Sequence, residues 1–134
     1  MLVSEMYKKI LENLGTAVVL LDGQLYIQYM NPAAEMLLAA SVRQLRRRDL
    51  SEWFGIEASQ IDGLHKSLQS GHPFTRREAK LRNLSEQILT VDYSVNPLPM
   101  TGENWLLLEI EARDRLMRIE REEELLTRHA TAQM

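Results

Sequence analysis

No cysteine occurs in this chain. A disulfide framework, thiolate metal ligation, a cysteine nucleophile and a flavin–cysteinyl photoadduct are therefore all excluded. Long apolar runs are missing too. The longest, Ala17 to Leu21 and Trp105 to Leu108, are far too short to cross a bilayer. Met1 to Lys9 mixes charges of both signs and lacks a signal-peptide core. These absences predict a cytoplasmic protein that does not engage a membrane. An excess of positive charge is lacking as well. The formal net charge is -3, which argues against nucleic acid as a partner, because phosphate binding needs a basic face.

What remains suits one domain with a helical extension. The 134 residues are 45% hydrophobic and 26% charged, enough apolar material for a single core. Ser4 to Leu14 reads as an amphipathic helix with Ser4 as N-cap, Met6, Ile10 and Leu14 at helical spacing, and Gly15 as its stop. Ala17 to Leu21 reads as a buried strand. Asp22-Gly23 then predicts a tight hairpin into a second strand, Gln24 to Met30. On that strand Leu25, Ile27 and Tyr29 would share one face, with Tyr26 and Gln28 on the other.

Asn31-Pro32 predicts the start of a helix, with Asn31 as N-cap and Pro32 at the first helical position. Ala33, Met36, Leu37 and Ala40 are its expected apolar stripe. Ser41 to Asp49 reads as a polar connector, Leu50 to Phe54 as a short helical turn, and Ser59 to Ser70 as a helix ended by Gly71. Three longer strands follow, Phe74 to Leu84, Gln87 to Leu98 and Asn104 to Glu111. Leu89, Val91, Tyr93 and Val95 alternate with Thr90, Asp92, Ser94 and Asn96, as expected of a sheet wet on one face. From Arg113 the chain is charged and helix-favouring. Ala112, Leu116, Ile119, Leu126 and Ala130 fall on heptad seam positions, broken by Glu123.

This order predicts an α+β fold with a five-stranded antiparallel sheet and helices on one face. The expected division is an N-terminal helix over 1–15, a central domain over 16–112, and a linker helix over 113–134. The pattern resembles the PAS fold. The strings Ile10-Leu11-Glu12-Asn13-Leu14-Gly15-Thr16-Ala17-Val18-Val19-Leu20-Leu21-Asp22 and Tyr29-Met30-Asn31-Pro32-Ala33-Ala34-Glu35 look like the N-terminal region of nitrogen-regulation sensor kinases of the NtrB type. That resemblance implies a parent that uses ATP and Mg to phosphorylate its own histidine, passes the phosphoryl group to an NtrC-type response regulator, and acts as a phosphatase when the PII signal protein engages it. The activities belong to regions outside this chain, which has neither a His-Glu-x-x-Asn-Pro phosphoacceptor motif nor a glycine-rich ATP lid. Here the resemblance implies a regulatory, dimerising module with no catalytic residues, no cofactor and no metal.

Candidate interaction and binding residues follow. Met6, Ile10 and Leu14 are candidates for a homodimer interface, with Leu116, Ile119 and Leu126 continuing it along the exit helix. As an alternative function, a small ligand would sit between sheet and helices, lined by Leu38, Ile61, Leu64, Val91 and Leu108. Asn31 is a structural cap that also ties the second strand to the helix after it. His65 is read as a surface histidine rather than a haem ligand, His72 as a solvated turn residue, and His129 as no phosphoacceptor. Arg46-Arg47-Arg48 is read as a solvated loop in preference to an anion patch. Ser94 or Thr90 with Asp92 lacks a nearby histidine, and a small hydrolytic enzyme is the weakest of the three readings.

Overall fold

The computed structural model describes residues 2–46, 48–54 and 57–113. Their elements are α1 (Leu2–Asn13), β1 (Ala17–Leu21), β2 (Ile27–Met30), α2 (Pro32–Leu38), α3 (Val42–Arg46), α4 (Leu50–Trp53), α5 (Ala58–Ser70), β3 (Phe74–Arg82), β4 (Ile88–Met100) and β5 (Glu103–Ala112). The strands form one sheet in the order β2-β1-β5-β4-β3, and every neighbouring pair is antiparallel. The fold class is the expected one. Because β5 returns to pair with β1, Ala17 stands opposite Ile110, and the chain enters and leaves the sheet on adjacent central strands.

Turn chemistry sets the hairpins, and the first differs from expectation. The Asp22 carboxylate accepts from the Gln24 and Tyr26 amides at 2.9 and 3.0 Å, and the Leu25 amide bonds Asp22 O at 3.0 Å. The left-handed residue of this turn is Leu25 at φ 67, not Gly23. Burial of the Leu25 side chain, 8% exposed, compensates a backbone strain of about 1 kcal/mol. The second strand therefore begins at Ile27. It then carries a bulge: Leu21 faces Ile27, but Leu20 faces Tyr29. The extra residue, Gln28, inverts the alternation. Ile27 and Met30 enter the core, while Tyr29 moves to the outer face beside Leu20. Beyond Val95, β4 has no neighbour on its β3 side, so Pro97 and Pro99 are admitted into a strand that pairs on to Met100 and turns at Gly102, φ 85.

The helices differ in detail. Ser4 lies inside α1 rather than capping it, since that helix begins at Leu2. In α2 the core-facing pair is Ala34 and Leu38, and Met36 is 78% exposed. The predicted connector contains α3, started by a capping box in which Ser41 N donates to Gln44 Oε1 (2.9 Å) and Gln44 N to Ser41 Oγ (3.2 Å). Gly71, at φ 72, ends α5 by donating to Ser67 O.

Helices α2–α5 cover the inner sheet face, where α4 delivers the largest side chains. The Phe54 ring meets Tyr93 at 5.0 Å and Trp53 at 5.7 Å, both edge to face, worth about 1 kcal/mol per pair beyond burial. The Tyr93 hydroxyl is buried without a hydrogen-bond partner among the described residues. Burial raises its pKa above the ordinary value, with Glu57 adding to the shift and Arg76 opposing it. The stability tied to the neutral phenol is complete below the unfolded pKa of about 10 and is lost as pH rises through the folded value. Tyr93→Phe is thus expected to stabilise the domain by about 1 kcal/mol and to flatten its alkaline loss, as thermal unfolding at neutral and alkaline pH would show.

Candidate functional site

Helix α1 is held together locally. Lys8 lies 4.0 Å from Glu12 one turn on, and Asn13 Nδ2 donates to Lys9 O at 2.7 Å. Its apolar face has no cover among the described residues. Met6, Tyr7, Ile10 and Leu14 are 51%, 60%, 51% and 42% exposed. Three of the predicted interface residues thus lie together on an unpartnered face. The other three, Leu116, Ile119 and Leu126, lie outside the described residues.

The outer face of the sheet is the second surface left uncovered by the described residues. Strand β4 offers it Thr90, Asp92, Ser94 and Asn96 before Leu98, and register brings apolar neighbours alongside. Tyr29 pairs with Leu20, Leu20 with Leu107, Leu107 with Asn96, and Trp105 with Leu98. One half of this face is therefore apolar. The other half carries Glu109 opposite Ser94 and Glu111 opposite Asp92. The sequence signal for the apolar half lay in the unbroken runs of β1 and β5, which alternation in β4 alone could not reveal.

Asn31 joins the two surfaces. It is fully buried, and its amide makes four hydrogen bonds. Oδ1 accepts from Ala34 N (3.0 Å), capping α2, and from Val18 N (2.8 Å). Nδ2 donates to Thr16 O (2.9 Å) and to Leu11 O (3.0 Å), one of the last carbonyls of α1. One side chain therefore caps the start of one helix and the end of another. The expected N-cap is present. The tie to β1 is made by both backbone and side chain, Asn31 N donating to Val18 O at 3.1 Å and Oδ1 accepting from Val18 N, while Nδ2 reaches back to α1. Beside it the Tyr29 hydroxyl is buried and has no hydrogen-bond partner among the described residues, and its pKa is raised by burial and then by Glu12 and Glu35.

The exit from β5 is fastened by charge. Arg113 Nη1 lies 3.0 Å from Glu78 Oε1 and 3.6 Å from Asp92 Oδ1. Glu78 sits at a β3 bulge with φ 55, where its amide donates to the same Asp92 oxygen at 2.9 Å. Nothing in the local sequence of Arg113 pointed to these partners. The pair is well exposed, 37% and 71%, so Arg113→Ala is expected to cost less than about 1 kcal/mol, seen as a shift of a few degrees in thermal unfolding.

The predicted pocket residues are brought together but as core. Leu38, Leu64, Val91 and Leu108 are buried in one cluster, with Ile61 partly buried against it. His65 and His72 are both exposed. Among the described residues no group of histidine and acidic side chains could hold a metal ion, and no helix is long and apolar enough to cross a membrane.

Comparison with known proteins accords with this geometry. The family model for the PAS fold matches residues 5–104. The chain is 31% identical over 124 residues to a sensory histidine kinase/phosphatase NtrB from Vibrio alginolyticus, covering 92% of this chain and 34% of that protein. It is 33% identical over 119 residues to NtrB from Escherichia coli O157:H7, covering 86% and 32%. The chain thus spans about a third of the length of these curated relatives. Among solved structures, the PAS domain of nitrogen regulation protein NR(II) from Vibrio parahaemolyticus superposes with a TM-score of 0.65 at 27% identity, covering 80% of this chain and 97% of that one.

Proposed function

Because the chain belongs to the PAS family, whose model spans residues 5–104, we propose that it is the regulatory PAS module of an NtrB-type sensory histidine kinase/phosphatase, dimerising and biasing the balance between the parent's two activities. The observation that carries this reading is the half-exposed apolar face of α1 on a chain whose outer sheet face is itself half apolar. In a symmetric pair each copy lays Met6, Ile10 and Leu14 on its partner's Leu20, Leu107 and Trp105, while Lys8 and Lys9 come near Glu109 and Glu111. The two chains then leave their sheets near one another at Arg113, on the way to the parent's catalytic regions.

A rotation of α1 about its Asn31 tie would change how the two sheets meet, and hence the spacing of the exits at Arg113. No residue of this chain is catalytic in this reading. The parent draws on ATP and Mg elsewhere, acts in the cytoplasm, and pairs with an NtrC-type response regulator and the PII protein. Sedimentation equilibrium of the 134-residue chain tests the core of it. A concentration-dependent dimer is expected, and a monomer persisting at high concentration would overturn the reading.

A further inference from the structure

Outside the core, a cleft of about 180 Å³ opens between the β1–β2 turn, the α3–α4 segment and α5. None of its described lining residues belongs to α1, and the dimer reading makes no use of it. Its floor is apolar, formed among others by Leu25, Ile27 and Trp53, and its mouth carries Tyr26, Arg46 and His65. Arg46 is fixed rather than free to swing. Its Nε donates to Ile27 O at 3.2 Å, which leaves the η nitrogens without a carboxylate partner among the described residues. Two further charged groups line the mouth: Arg48, 3.6 Å from Glu52, and Asp49, which makes no cap bond. Arg48 is thus compensated by Glu52, and Arg46 is the guanidinium of the described lining with no carboxylate partner among the described residues.

We propose that this cleft binds a small organic monocarboxylate with an apolar body. A held guanidinium offers two parallel donors, the geometry that a carboxylate accepts. One held guanidinium without a carboxylate of its own matches one carboxylate better than two. The apolar floor rewards a hydrocarbon portion, and a volume of about six waters suits an acid the size of benzoate. His65, exposed at the rim, supplies a further nitrogen to the same group.

The test is an NMR titration of the 134-residue chain at constant ionic strength with benzoate, benzamide and acetate. Benzoate is expected to give saturable shifts centred on Tyr26, Arg46 and His65. Benzamide, lacking charge, and acetate, lacking the apolar body, should each bind at least about ten-fold more weakly. Arg46→Gln should weaken benzoate by at least about ten-fold, whereas Arg43→Gln, on the same helix outside the cleft, should not. His65→Gln breaks no hydrogen bond among the described residues, and a several-fold loss there keeps the site testable should Arg46→Gln loosen β2. Shifts that fail to saturate, equal binding of benzamide or acetate, or an equal loss in Arg43→Gln would each overturn the site. The dimer proposal is untouched by any of these outcomes, since sedimentation reads it separately.

Discussion

Asn31→Ala is expected to lower stability by about 3–5 kcal/mol, a fall of roughly 10–20 °C in the unfolding midpoint. The substitution removes the partner of Val18 N, Ala34 N, Leu11 O and Thr16 O together. Each buried group left without a partner costs about 1–3 kcal/mol, with relaxation and water recovering part of the sum. A simple N-cap would account for only about 1 kcal/mol, so the size of the loss separates the two roles. Asn31→Asp divides them further. Its carboxylate keeps both acceptor bonds but confronts the two carbonyls with negative charge, so damage should concentrate at α1. Hydrogen exchange would show Val18 and Ala34 still protected while the α1 amides open. A loss near 1 kcal/mol in the alanine variant, with α1 protection unchanged, would remove Asn31 from the coupling between α1 and the sheet.

Ile10→Glu is expected to weaken self-association by at least about a hundredfold while leaving the single chain's stability within about 0.5 kcal/mol. Ile10 is 51% exposed in one chain, and that exposed half is what a partner would bury. That half is worth about 1 kcal/mol per copy, and symmetry counts it twice. A carboxylate set against an apolar surface adds a desolvation cost. Sedimentation and thermal unfolding read the two quantities independently. A variant that unfolds earlier yet sediments like the parent chain would mean that α1 lies on its own sheet. In the full-length parent the same substitution is expected to shift the ratio of autophosphorylation to phosphatase activity, whereas Arg113→Ala should alter that ratio without dissociating the dimer.

Much of the fold could be read from the residues in order. Strict alternation located β4, Asn31-Pro32 fixed the start of α2, and Gly71 the end of α5, because each is a local signal. What escaped depended on partners far away in the chain. The bulge at Gln28 is set by pairing with β1, and it sends Tyr29 to the face opposite the expected one. Asn31 read as a cap and a tie to the helix after it, and its bonds back to α1 and Thr16 stayed hidden because Leu11 and Thr16 lie 20 and 15 residues earlier. The cleft gathers residues from four segments, none distinctive alone. One miss was avoidable: Ser41-Val42-Arg43-Gln44 is a capping-box sequence, and it marks α3 inside what reads as a polar loop.

The pairing of Ala17 with Ile110 makes the domain a cassette. Directly opposed residues of an antiparallel pair have Cα atoms about 5 Å apart, a gap that two residues of extended chain can span. The whole sheet with its covering helices therefore forms a loop on the chain, with entrance and exit almost touching. Such a unit can be inserted between two helices, or excised from between them, with little displacement of either. What insertion does change is phase, since the rotation of the outgoing helix relative to the incoming one is then fixed by the sheet.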